Sequence, residues 1–194
     1  MFRFFIAGAV AFGVVFWITP NHDAEAFVVP AVQTLIKQKS ILNNVDIKED
    51  EHEQYCLAKN IYEEARNQDL EGMLAVAATV LNRLNSPNFP KTICKVVYQT
   101  SRMNGVYSCQ FSWVCNKKLR DRNPSKSKNI VERNMWDDIF ALAKDIIIEY
   151  NKGSFIDKTE GAVNFHTLKV KPRWNKSLVN TVTIGDHKFY KPRE

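Results

Sequence analysis

Four cysteines, at positions 56, 94, 109 and 115, restrict the folds open to this chain more than any other feature of its sequence. All four follow an amino-terminal segment organised like an export signal. Met1-Phe2-Arg3 leads into an uncharged run from Phe4 to Ile18, then come Thr19, Pro20 and the charged Asp23 and Glu25. Ala24-Glu25-Ala26 offers a small-x-small cleavage site. Left uncleaved, the run falls slightly short of the roughly 20 residues that cross a bilayer, and Ala7, Gly8, Ala9 and Gly13 weaken its hydrophobicity. Residues 1–26 are therefore expected to act as a signal peptide or membrane anchor, and in an exported chain an even number of cysteines reads as two disulfides. Three pairings are open. Separations of 38, 15 and 6 with no C-x-x-C pair argue against zinc, so no metal and no cofactor are expected.

With 194 residues, 45% of them hydrophobic and 25% charged, the chain has apolar material for one ordinary core, which excludes a disordered or collagen-like chain and a multi-domain assembly. A net charge of +6 favours polyanionic surroundings. Blocks of like charge are missing and Gly is scarce, so a basic arm for nucleic acid is not expected. Residues 27–53 read as a short helix and polar tether ending in Lys48-Glu49-Asp50-Glu51-His52-Glu53, and 54–194 as the functional domain.

Within that domain a helical pattern starts at Gln54, with Leu57, Ala58, Ile61 and Ala65 at spacings of three and four. A second stripe runs through Leu70, Met73, Leu74, Ala77, Val80, Leu81 and Leu84, with Asp69 as its cap and Glu71 in its first turn, and stops at Ser86-Pro87-Asn88-Phe89-Pro90. A short helix is expected over Thr92 to Gln99, and an aromatic-rich irregular hairpin over Gly105 to Cys115. The longest helix should cover Asn129 to Tyr150, with a stripe of Ile130, Met135, Ile139, Leu142, Ala143, Ile146 and Tyr150 and a stop at Gly153. A strand at Ala162 to Leu168 and a hairpin of Val179 to Ile184 with Lys188 to Tyr190, turning at Gly185-Asp186-His187, complete an α+β class.

Glu64 is the most informative residue for chemistry. It lies three positions after Ile61 and seven after Leu57, which sets a carboxyl on the apolar stripe, whereas Glu63 points elsewhere. Apolar surroundings raise a carboxyl's pKa, as a general acid at neutral pH requires. The competing role is an ordinary ion pair with Arg66. Cys109-Gln110-Phe111-Ser112-Trp113-Val114-Cys115 forms the second signal: cysteines six apart can close a small loop, and a loop displaying Gln, Ser and Trp suits sugars. It can equally be a stapled hairpin with core aromatics. His166 in a strand and His187 in a turn complete the set, without the local spacing of a zinc site.

Taken together, these residues resemble the cell-wall hydrolase family typified by the spore-cortex-lytic enzymes, in its phage or proteobacterial form. The words that carry the resemblance are Cys56-Leu57-Ala58-Lys59-Asn60-Ile61-Tyr62-Glu63-Glu64-Ala65-Arg66, Glu71-Gly72, Ala75-Val76-Ala77, and Val80-Leu81-Asn82-Arg83. Phe89-Pro90, Thr92-Ile93-Cys94, Val96-Val97-Tyr98-Gln99 and Cys109-Gln110-Phe111-Ser112-Trp113 follow, then Asn164-Phe165-His166 and Ile184-Gly185-Asp186-His187-Lys188-Phe189-Tyr190. Where the commonest family pattern has Gly-Glu after the Arg, this chain has Asn67-Gln68, which weakens any role for a second acidic position there.

The resemblance implies a lysozyme-like helical domain with a small β-hairpin region, Glu64 as the catalytic acid, and a Cys56–Cys94 disulfide beside Cys109–Cys115. Tyr62, Gln110, Phe111, Ser112, Trp113 and His166 are expected to contact substrate. The expected activity is lytic transglycosylation of peptidoglycan, on the bond between N-acetylmuramic acid and N-acetylglucosamine, because one carboxyl can act first as acid and then as base. Hydrolysis normally needs a second carboxylate, and Asp69 and Glu71 already have capping roles. A zinc amidase using His166 and His187, or a non-catalytic wall-binding module, are the rival readings. The expected partners are peptidoglycan glycan strands and, through the amino-terminal segment, the inner membrane, with no nucleic acid. The protein should be a monomer in the periplasm or cell wall.

Overall fold

The computed structural model describes residue 47, residues 50–103 and residues 105–193. The signal or anchor segment and most of the expected tether lie outside the described residues. Every described residue belongs to one compact unit within Gln38–Glu194.

Helix α1 (Glu51–Ala65) begins three residues earlier than the apolar pattern indicates, because Asp50 caps it by accepting the Glu53 N–H at 2.8 Å. The charged stretch expected as tether is thus partly the first turn of a helix, where Glu51 and Glu53 suit the positive end of the dipole. Ile47 is buried just before it, and its backbone N–H and C=O both pair with the Asn151 side chain. α1 is covered on most sides: Leu57, Ala58, Ile61, Tyr62 and Ala65 are fully buried, and so are Lys59 and Asn60.

The expected Asp69 cap forms, and Thr92 caps the next helix as well. Asp69 accepts from the Gly72 N–H and starts α2 (Leu70–Asn85), and Ser86 closes it. Thr92 caps α3 (Ile93–Val97), whose first N–H donates to Glu53 at 2.5 Å, and the Cys56–Cys94 disulfide binds α3 to α1 at the same place. β1 (Thr100–Met103) and β2 (Val106–Cys109) form an antiparallel hairpin.

Residues 110–115, read from sequence as part of that hairpin, instead form a helical turn, α4 (Ser112–Cys115), closed by Cys109–Cys115. The reason is tertiary. Trp113 is buried and its indole N–H donates to Asn60 on α1 at 3.1 Å, which only a tight turn allows. The short helix α5 (Lys117–Asp121) and a 3-10 turn at Pro124–Lys126 lead to α6 (Ile130–Asn151), capped by Asn129 and stopped at Gly153, whose φ is +70°. α6 packs on α1 through Trp136, Ile139, Ala143, Ile146, Ile147 and Tyr150. Ile130, expected on this stripe, is exposed, because the six residues to the buried Trp136 turn it about 120° away around the helix.

β3 (Asn164–Thr167), β4 (Val179–Ile184) and β5 (His187–Lys191) make an antiparallel sheet in the order β3-β5-β4. The β4–β5 turn is the pair Gly185-Asp186, so His187 belongs to β5 and not to the turn. Gly185 has φ +53°, and a side chain there would collide with Gln68. A small second core of Ala75, Ala162, Ile184 and Phe189 fixes the sheet to α2. A mainly helical core and the sheet packed beside it border a cleft, in keeping with the α+β class.

Candidate active site

Glu64, in the last turn of α1, opens into a cleft of about 590 Å³. One wall is the segment from Ser108 to Ser112, with Gln110, Phe111 and Ser112; the other is β3 and the following loop, with Asn164, His166, Thr167, Val170 and Trp174; Arg83 from α2 joins Glu64 between them. A separate hollow of about 640 Å³ between α2 and α6 is lined mainly by Leu70, Met73, Val131, Met135, Ile139 and Leu142. Its one carboxylate among the described residues, Asp138, is solvent-exposed.

The Glu64 carboxyl has no ion pair and no hydrogen bond among the described residues. Its pKa is pushed up to about 7, first by burial and then by the neighbouring Glu63 charge, while Arg83 pulls the other way. The expected alternative, a pair with Arg66, does not form: Arg66 lies over the Tyr62 ring at 5.0 Å and within 3.7 Å of Glu63. Glu63 is the unforeseen member of this group. Its side chain is 1% exposed and accepts from Lys59 at 2.9 Å and from Arg122 at 2.8 and 3.0 Å. The buried Lys59 ammonium completes its three bonds on the Leu119 and Arg122 carbonyls. Glu63 is thereby fixed beside Glu64 by two cations.

Arg83 was quoted in a sequence word but given no role. It is 2% exposed, donates from Nε to the Val163 carbonyl at 2.8 Å, and lies over Phe111 at 4.8 Å and Phe89 at 5.2 Å. Its Nη1 has no hydrogen-bond partner among the described residues. Burial lowers its pKa to about 10, which leaves it cationic at neutral pH.

Of the six expected substrate contacts, Gln110, Phe111, Ser112 and His166 line the cleft with Glu64. Tyr62 and Trp113 do not. Tyr62 is fully buried, edge-on to Trp136 and between Arg66 and Arg122; Trp113 is buried against Tyr98 and Asn60. Both are core aromatics, the alternative the sequence had left open for the cysteine loop. Trp174, absent from the expectation, is 38% exposed on the cleft wall, edge-on to His166 and Tyr190. It sits in a 3-10 turn (Arg173–Ser177) with no hydrophobic periodicity to draw attention to it.

His166 has both ring nitrogens engaged. Nδ1 faces the Thr167 carbonyl at 2.8 Å and must carry the proton, so Nε2 accepts from the Tyr190 hydroxyl at 2.9 Å. That leaves no lone pair for a metal. His187 is buried beside a smaller cavity of about 140 Å³ that also touches Glu64, and burial lowers its pKa. The one cluster of potential metal ligands among the described residues is His52, Cys56 and Cys94, whose sulfurs are joined to each other. Asp69 caps α2 and Glu71 pairs with Lys158 at 2.9 Å, so neither faces Glu64. Gln68, at the position where the family pattern has Glu, exchanges two hydrogen bonds with Asp186 at 3.1 and 3.0 Å and ties the α1–α2 junction to the β4–β5 turn.

A family model for cell wall hydrolases matches residues 67–190. The spore cortex-lytic enzyme of Bacillus subtilis strain 168 is 33% identical over 85 residues, which is 44% of this chain and 28% of that protein. The enzyme of the same name from Oceanobacillus iheyensis is 40% identical over 65 residues, 34% of this chain and 24% of that protein. The chain thus aligns with little more than a quarter of these relatives at most. Among solved structures, the catalytic domain of the Bacillus cereus SleB protein superposes with a TM-score of 0.50 at 22% identity, over 76% of this chain and 96% of that domain. That likeness bears on the fold, and it agrees with the lysozyme-like α+β arrangement. The family match begins three residues beyond Glu64, so the case for Glu64 stands on its geometry.

Proposed function

The chain belongs to the cell wall hydrolase family, and from that premise we propose that it cleaves the glycan strands of peptidoglycan as a lytic transglycosylase, with Glu64 as both acid and base. The observation that carries this reading is a solitary carboxyl: among the described residues Glu64 is the one acidic residue lining the 590 Å³ cleft, without an ion pair or hydrogen bond there and with a pKa of about 7. At neutral pH a substantial fraction is protonated and able to give its proton to the oxygen between N-acetylmuramic acid and N-acetylglucosamine. The bond from that oxygen to the muramic C1 breaks and leaves an oxocarbenium-like centre. The Glu64 carboxylate then takes the proton of the same sugar's 6-hydroxyl as O6 bonds to C1, which restores the acid for the next turnover.

The charges around Glu64 suit both halves of this cycle. Burial and Glu63 keep the proton on before reaction, and Arg83 stabilises the carboxylate formed by the first transfer. Gln110 and Ser112 offer hydrogen-bonding groups for hydroxyl and acetamido substituents, while Trp174, the exposed aromatic of the cleft, offers a ring for a sugar to stack on. Hydrolysis would call for a second carboxylate in the cleft to activate water. A zinc amidase is disfavoured by the bonding of His166. Residues 1–26 would deliver the domain to the periplasm or wall, by cleavage or as an anchor, and the protein would act there as a monomer.

Mass spectrometry of digested peptidoglycan tests the reaction. The expected new muramic ends are 1,6-anhydro, about 18 Da lighter than hydrolysed ends, since O6 replaces water. Reducing ends would make the enzyme a muramidase or glucosaminidase, and free peptides on intact glycan would make it an amidase. Glu64→Gln should slow release at least ~10²-fold; unchanged lysis by that variant would favour a non-catalytic wall-binding role.

A further inference from the structure

Past β3 the chain follows the edge of the cleft, and Thr167, Val170 and Trp174 line it. Between and beyond these wall residues come Lys169, Lys171, Arg173 and Lys176, all exposed, with Lys188 and Arg193 on and after β5. Arg193 donates to the Lys176 carbonyl at 3.3 Å, which brings the carboxy-terminal end to the same lip. None of these cations has an ion-pair partner among the described residues. From Leu168 to Arg193 the sole carboxylate is Asp186, already bonded to Gln68. The opposite bias marks α6, which contributes nothing to the cleft: Glu132, Asp137, Asp138, Asp145 and Glu149 stand against Arg133 and Lys144. The lip is thus a basic stretch at the cleft, distinct from a second one, 117–128, that does not line it.

Neutral amino sugars give such a lip nothing to bind. A muramic acid whose lactyl group is amide-linked to peptide is uncharged, and the nearest anions on that polymer are the free carboxylates of the peptide. We propose that the basic lip formed by residues 169–176 recognises those carboxylates, so that glycan whose peptides carry ionised carboxylates binds more tightly than the same glycan with them amidated. This rests on the peptidoglycan reading above. Trp174 holds the sugar at the wall, and Lys171, Arg173 and Lys176 reach the peptide projecting from it. Exposed pairs are individually weak and screened within about 8 Å at physiological salt, so the effect is a summed, salt-sensitive preference.

Binding is measured with the full chain carrying Glu64→Gln, which removes turnover. The probes are N-acetylated bacterial sacculi and the same sacculi after amidation of their carboxylates. Sedimentation should show roughly 5- to 10-fold tighter binding to the carboxylate form at low salt, with the preference fading towards unity in about 0.5 M salt. Adding K171Q/R173Q/K176Q should remove most of the preference and leave binding to amidated sacculi as it was. Equal affinity of the Glu64→Gln chain for both sacculi, or a full preference in the variant, would overturn the proposal. With Glu64 present, the same preference should appear in KM and not in kcat. A charge preference in binding without any release of muramic ends would sink the glycosidase reading while leaving this one standing.

Discussion

At Glu64 the proposed acid chemistry opposes the needs of folding. The group's pKa is about 7 in the fold against an ordinary 4.5, so the native state resists ionisation that the unfolded chain accepts freely. A folded pKa raised in this way leaves stability intact below about pH 4.5 and erodes it as pH climbs through 7. Glu64→Gln, which cannot ionise, should therefore be more stable than the parent at pH 8, by about 1–3 kcal/mol. The gap should close near pH 4, and urea unfolding at the two pH values measures it. The same titration sets an alkaline limit on activity near pH 7, where the acid form is lost.

Arg83 bears on that limit because it is the cation that lowers the Glu64 pKa. Arg83→Met should move the alkaline limb to higher pH and reduce the maximal rate, whereas Arg83→Lys, which keeps the charge, should hold the limb near its place. A pH–rate profile for each variant, with a thermal melt to confirm folding, separates this from mere loss of packing on Phe89 and Phe111. Glu64 was legible in the sequence because helical periodicity places it. Arg83 was not, since nothing local says that an Arg late in an apolar helix will turn its guanidinium towards a neighbouring helix end.

Among the elements, those fixed by local chemistry were the ones readable in advance. Asp69, Thr92 and Asn129 each cap a helix by accepting a backbone N–H, and each helix starts where its cap predicts. The misread stretch was 110–115, because whether a short aromatic run lies along a strand or folds into a turn depends on a distant partner, here Asn60 for Trp113. The same limit sent Tyr62 and Trp113 to the substrate list: sequence does not separate an aromatic that meets sugar from one that fills a core. Both disulfides join the cysteines that the family resemblance and the short spacing pointed to. Cys56–Cys94 spans 38 residues, and Cys56→Ser with Cys94→Ser should cost about 3–4 kcal/mol on the loop-closure argument. Cys109–Cys115 closes a loop of 6 and should cost about 2 kcal/mol in global stability. Its loss should weigh more on activity, because Cys109 to Ser112 form a cleft wall. Denaturant unfolding and turnover of the two double variants distinguish the two staples.

For the whole molecule, the contacts that close the core determine how much chain catalysis needs. Among the described residues no helix is long and apolar enough to cross a membrane, and the catalytic cleft draws on nothing before Glu64. Removing Met1 to Ala26 should therefore leave the melting temperature and turnover of purified protein unchanged, while abolishing wall lysis by protein made inside a cell. Lysis by that truncation without another export route would refute delivery as the segment's role. Cutting further, through Glu49, has a different expected result. Ile47 is 5% exposed in the main core and satisfies both polar ends of Asn151, which closes the last turn of α6 onto the start of α1. Its loss withdraws a buried aliphatic side chain and leaves the Asn151 amide unpaired, together worth about 2–4 kcal/mol. A denaturant midpoint that falls for the longer deletion and holds for the shorter one would put the amino-terminal edge of the catalytic domain at Ile47, seven residues before the edge read from hydrophobic periodicity.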